Sequence, residues 1–217
     1  PGHLERQRRL ACDGRRALTL LSPSAEFPLA VQLRRREGAP LGEVFAFLSG
    51  LYFRGKLAYA QAFAAPVAAA DPIRVITTNR GLLPPGYRVR PADLEEFAGV
   101  DLSTGWAAFQ DPLLRDARGL AREIGDDTPV VLLGSIATNK YVGPLTSVFG
   151  NRLLFPKEFV GRGDMSRGGL MLRCVRESRE LEYVPVATAV RHGKRPPKLD
   201  PMPPDPSQGG EAGHRMK

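Results

Sequence analysis

Short apolar runs alternate along this 217-residue chain with segments whose apolar residues recur at helical spacing. Ala17 to Leu21 (Ala-Leu-Thr-Leu-Leu) stops at Ser22-Pro-Ser24 and reads as a buried strand. Ile73 to Thr77 opens behind Asp71-Pro72, Pro129 to Leu133 carries Val-Val-Leu-Leu, and Arg152 to Phe155 gives a fourth short strand. Ser24 to about Arg36, Leu41 to Leu48, Leu51 to Ala64, Pro91 to Phe97 and Pro112 to Ile124 are the predicted helices. Pro28 and Pro91 fit first turns, Asp111 fits a cap and Gly125 a stop. A further helix follows Gly134-Ser135 and breaks or kinks near Gly143-Pro144. Leu170 to Arg176 and Leu181 to Val186, on either side of Glu177-Ser-Arg-Glu180, form a predicted β-hairpin. The alternation predicts an α/β fold, a three-layer sandwich with a mostly parallel central sheet and a C-terminal β-hairpin.

Charge divides the chain into three parts. The formal net charge is +8, but residues 1–16 and 191–217 each contribute +3, which leaves +2 for residues 17–190. The expected organisation is a basic N-terminal extension (1–16), a single α/β domain (17–190) and a disordered, basic, Pro-rich tail (191–217). No apolar h-region follows the basic start, and no apolar stretch approaches the roughly 20 residues that span a bilayer. Cys12 and Cys174 are the two cysteines. A cytoplasmic protein with reduced thiols and no membrane partner is the expectation. His3, His192 and His214 lie in or beside the tails, so neither a metal nor a cofactor is expected. Cys174, alternating within its predicted strand, reads as buried packing.

In an open α/β sheet, ligands bind beyond the carboxyl ends of the strands. Three segments leave predicted strands there with small and polar residues: Thr77 to Gly81, Gly134 to Lys140 and Pro156 to Gly169. Gly161-Arg-Gly-Asp-Met-Ser-Arg-Gly-Gly169 places Arg162 and Arg167 around Asp164 and Ser166 among four glycines. Two arginines in such a loop suit a phosphate or carboxylate, with Asp164 orienting one of them or acting as a general base. The same residues also make a self-contained turn held by an Arg–Asp pair. Ser135, Thr138 and Lys140, at a predicted helix start, fit an anion site, or a helix cap beside a solvated lysine. Lys140 does not complete a P-loop, because Asn139 and Tyr141 occupy the flanking positions.

Tyr52-Phe-Arg-Gly-Lys-Leu-Ala-Tyr59 is the third constellation. Lys56 and Tyr59 share a helix face, with Tyr52 one turn earlier. Aromatics beside Arg54 and Lys56 suit base stacking with a phosphate contact, or core packing with the cations in solvent. Asn79 and Arg80 either bind at the rim or only shape it.

Leu51 to Tyr59, Ile76-Thr-Thr-Asn-Arg-Gly-Leu-Leu83 and the glycine-rich segment 161–169 together resemble small bacterial α/β proteins with a distant similarity to base-removing glycosylases. The resemblance covers roughly Leu41 to Gly169 and implies handling of nucleosides or modified bases. The histidine-containing loop of the uracil-removing enzymes is not present. The expected function is an enzyme binding a nucleotide, nucleoside or nucleic-acid base at the sheet rim, through N-glycosidic or phosphate chemistry. The other expectation is a noncatalytic module that binds nucleic acid or protein through its basic tails.

Overall fold

A computed structural model describes residues 14–66, 71–100, 106–137 and 139–199. Helices dominate. They are α1 (Arg15–Leu21), α2 (Pro28–Arg34), α3 (Leu41–Ser49), α4 (Leu51–Phe63), α5 (Pro91–Ala98), α6 (Trp106–Ile124), α7 (Asn139–Phe149) and α8 (Asp164–Arg176). Strands are short and fall into three separate sheets among the described residues. β1 (Ala39–Pro40) pairs antiparallel with β4 (Arg88–Val89), and β2 (Val75–Ile76) pairs antiparallel with β3 (Leu82–Leu83). The third sheet has β6 (Leu153–Pro156) at its centre. It lies parallel to β5 (Val130–Val131), with Val130 opposite Leu153, and antiparallel to β7 (Tyr183–Pro185).

The expected three-layer α/β sandwich is therefore wrong. There is no extended parallel sheet, and the four runs read as its strands do not share one. Residues 17–21 belong to α1: Ala17 and Leu20 are buried while Leu18 is 73% exposed, a helical rather than an alternating pattern. A short apolar run carries too few residues to separate the two periods. Only the runs at 130–131 and 153–156 pair in parallel, as that reading required.

The predicted C-terminal hairpin is also overturned. Residues 170–176 are the second half of α8, whose buried residues Arg167, Leu170, Met171 and Cys174 recur every three to four positions. Cys174 is buried, as expected, but in a helix. The pair Gly168-Gly169 looked like loop composition because glycine costs a helix about 1 kcal/mol against alanine. Here Gly168 is needed for contact. A Cβ on it would stand 2.7 Å from the Leu51 carbonyl oxygen and 2.9 Å from the Tyr52 Cα. A Cβ on Gly55 would stand 2.7 Å from the Gly168 carbonyl oxygen. Helices α4 and α8 thus cross backbone to backbone at Gly55 and Gly168, and theirs is the most extensive contact between elements.

Leu41–Ser49, Leu51–Phe63 and Pro91–Ala98 form where helical spacing predicted them, with Pro91 in the first turn. Helix α6 starts at Trp106 rather than at Pro112, because extension puts Phe109 on the same buried face as Leu113 and Ala117. Helix α7 runs through Pro144 without ending.

Two hydrophobic clusters form the core. One joins α1 to α5 and includes Leu20, Leu33, Leu41, Val44 and Phe97. The other joins α6 to α8 with the three-stranded sheet and includes Phe109, Leu132, Phe149, Leu153 and Met171. Residues 191–199 run back over this second part. The Lys194 carbonyl abuts Gly161, the Pro197 carbonyl accepts from Arg162 at 3.5 Å, and Leu199 packs on the cluster.

Candidate functional site

A cavity of about 1030 Å³ opens where the two clusters meet. Phe45, Phe53 and Phe97 line it from one cluster, and Phe109, Tyr141 and Leu145 from the other. This size is at the upper end for small-molecule sites. The polar lining of the cavity, which also takes in Asp71, Thr77 and Glu180, includes five groups from α4, α8 and the segment after β5. They are Tyr52 and Lys56 from α4, Ser135 and Lys140 from the segment after β5, and Asp164 at the first position of α8. The glycine crossing makes this possible, because it lets the start of α8 approach the first turns of α4 without side chains between them.

Lys56 stands one helical turn after Tyr52, and its Nζ lies 4.0 Å from the centre of the Tyr52 ring. Among the described residues its ammonium has no hydrogen bond or salt bridge. Lys56 is half-buried. Its pKa falls from 10.5 to about 8, chiefly by desolvation, with Asp164 opposing the change and the Arg167 charge adding to it. The Tyr52 hydroxyl is buried with no hydrogen-bond partner among the described residues. Desolvation pushes its pKa up to about 12, while the Arg167 guanidinium partly offsets that rise. Tyr52 also feels Tyr141, so these two rings are neighbours. Lys140 flanks the pair on the other side, its Nζ 4.9 Å from the Phe109 ring centre and 5.1 Å from that of Tyr141. Burial lowers the Lys140 pKa and raises that of Tyr141.

Of the residues singled out from sequence, Lys56, Tyr59, Ser135, Lys140 and Asp164 line this cavity. Tyr59 has structural duties. Its hydroxyl lies 2.7 Å from that of Tyr183 and accepts from the Leu181 backbone N–H at 2.8 Å. The Ser135 hydroxyl accepts from the Ala137 N–H at 3.3 Å. Asp164 Oδ1 stands 3.6 Å from Arg167 Nη1. Arg167 is buried behind the wall, donates to the Phe159 carbonyl at 3.2 Å, and meets the ligand space only through Asp164 and Tyr52.

The remaining candidates do not join them. Arg54 is exposed on α4. Arg80 is engaged by Asp93 at 2.7 Å and by Glu96, and lies over the Phe97 ring. Asn79 donates to Glu96. Arg162 donates to the Glu158 carbonyl at 3.0 Å and to Ser166 Oγ at 3.2 Å. Arg80, Arg162 and the Asn79 amide N–H thus each have a local acceptor, and these bonds hold the 79–80 and 161–163 turns. Thr138 lies outside the described residues. Sequence reasoning missed Tyr141 and named Tyr52 only as a neighbour of Lys56. The available signal was their adjacency to the two lysines, Tyr141 in sequence and Tyr52 at four residues' spacing.

Among the described residues, no group of histidine, cysteine and carboxylate side chains is arranged to hold a metal ion. No described helix is long and apolar enough to cross a membrane. No family model, curated protein or solved structure matches the chain.

Proposed function

We propose that the cavity binds a small anion bearing a planar ring, of the nucleotide or nucleoside class, and that the protein is an enzyme acting on it. The observation that carries this reading is the pair Lys56 and Lys140. Both face one aromatic-walled cavity, and among the described residues neither has an ion-pair partner. Two partly desolvated cations without ion pairs, only one of them within the influence of the Asp164 charge, cost folding free energy, and an anionic ligand relieves that cost. The partly exposed rings of Tyr52 and Tyr141 offer faces on which a base stacks, at about 1–3 kcal/mol per stacked base.

The test is a thermal-shift series with AMP, GMP and UMP, their nucleosides and ribose 5-phosphate. The expected result is a rise of several degrees with a nucleotide near 100 times its Kd, equivalent to about 2.7 kcal/mol. A smaller rise is expected with its nucleoside, and a binding loss of about tenfold in Lys140→Ala. No shift with any of them at millimolar concentration would overturn the reading.

A further inference from the structure

We infer that Lys56 is an imine-forming amine, which takes the carbonyl carbon of an aldehyde or ketone on a small ring-bearing anion into a covalent Schiff base at the Tyr52–Asp164 end of the cavity. The inference rests on the same cavity accepting such a ligand and adds the reactive group.

An amine that attacks a carbonyl must be unprotonated, reachable from the ligand space and free of a carboxylate that would lock it as an ammonium. Lys56 is reachable, has no ion-paired carboxylate among the described residues, and is unprotonated in about a tenth of molecules at pH 7. It lines the cavity, it lies over a tyrosine ring instead of in a salt bridge, and desolvation holds its pKa to about 8. Relative to an ordinary lysine near 10.5, the unprotonated fraction at pH 7 is then larger by roughly 300-fold. Lysines activated by burial in apolar surroundings are used in this way. The other lysines described are less suited. Lys157 is exposed and ion-paired with Glu182 at 3.0 Å, and Lys194 and Lys198 are exposed. Lys140 shares the cavity, where it suits the anionic group of the same ligand.

The step balances without a further reactant. The Lys56 nitrogen attacks the carbonyl carbon, the carbonyl π pair moves to oxygen, and that oxygen takes a proton from a hydronium ion of the solvent. The nitrogen passes one proton to the Asp164 carboxylate, giving a neutral carbinolamine. Asp164 returns that proton to the hydroxyl, which departs as water while the nitrogen lone pair forms the C=N bond. One amine, one carbonyl and one proton give one protonated imine and one water. Asp164 lines the cavity and its charge bears on the Lys56 amine without an ion pair between them, so the transfer runs through a water molecule between the two.

Pyridoxal 5′-phosphate, an aldehyde on an aromatic ring that also bears a phosphate, is the probe. The full chain is incubated with limiting probe at pH 7.5, reduced with borohydride, digested and mapped by mass spectrometry. The expected result is modification of Lys56 about 10-fold ahead of Lys157, Lys194 and Lys198, suppressed by excess AMP and absent from a folded Lys56→Arg. Label spread evenly over exposed lysines, or placed on Lys140 instead of Lys56, would overturn the inference. The mapping on the unaltered chain decides the matter even where Lys56→Arg does not fold. Stabilisation by AMP with Lys56 unmodified removes the imine chemistry alone and leaves the binding reading standing. Modification of Lys56 that AMP neither blocks nor accompanies with stabilisation supports the amine's reactivity and removes the nucleotide reading.

Discussion

At Lys56 two opposing effects meet on one side chain. The Tyr52 ring at 4.0 Å attracts the ammonium, an effect of roughly 0.5–2 kcal/mol. Desolvation disfavours it, and the net lowering of the pKa to about 8 means that desolvation wins. The folded-state value lies below the unfolded one near 10.5, so between those two pH values the unfolded chain binds more protons. Stability therefore rises with pH through that window, and below about pH 8 the destabilisation by Lys56 is fully present. Replacing Lys56 with Met removes the buried charge and keeps most of the volume. The expected outcome in differential scanning calorimetry is a Tm higher than the parent's by about 2–6 °C at pH 7, with the gap closing as pH climbs above 8. A lower Tm at pH 7 would mean that the Tyr52 contact outweighs desolvation. Arg80 illustrates the opposite environment. Its hydrogen bonds to Glu96 hold its pKa up and Glu96's down, as expected of a cation occupied by structure.

The element that assembles the site is the α4–α8 crossing. Alanine at Gly168 would gain about 1 kcal/mol of helix propensity. Its Cβ, however, would stand 2.7 Å from the Leu51 carbonyl oxygen and 2.9 Å from the Tyr52 Cα, which are backbone atoms that cannot swing aside. Overpacking of this kind costs about 1–3 kcal/mol, so Gly168→Ala is expected to lower the unfolding free energy in urea by that scale. It should also separate Asp164 from Lys56 and weaken ligand binding. Gly119→Ala, in the interior of α6 with nothing within 4 Å of the added Cβ, is the control and should gain up to about 1 kcal/mol. Equal behaviour of the two variants would show that the crossing tolerates a wider separation.

At the scale of the molecule, two clusters packed side by side leave space at their junction, and the last described segment braces one of them. Arg162 reaches the Pro197 carbonyl, Gly161 adopts φ of +73° against the Lys194 carbonyl, and Leu199 packs on the second cluster. Removing residues 193–217 should therefore lower stability further than removing 200–217, by about 1–2 kcal/mol for one apolar side chain and a hydrogen bond. Chemical denaturation of both truncations measures the difference. Identical midpoints would show that residues 193–199 contribute nothing to the fold.

What the sequence determined by itself is local. Helical spacing located α3, α4 and α5, the run Val-Val-Leu-Leu marked β5, and the step of four residues put Tyr52 beside Lys56. These follow from periods of a few residues, which the chain carries in its own order. The sheet arrangement did not follow, because a two-residue strand leaves no periodic trace and its pairing depends on what packs over it. Gly168 read as loop for the same reason: its purpose is the backbone of α4, more than a hundred positions earlier. Arg80 and Arg162 looked as available to a ligand as Lys56 did. Only the folded chain decided between them, by supplying Asp93, Glu96 and the Glu158 carbonyl to the arginines and leaving Lys56 with an aromatic ring. Desolvation sums over every element around a charge, so it exists only once those elements have packed.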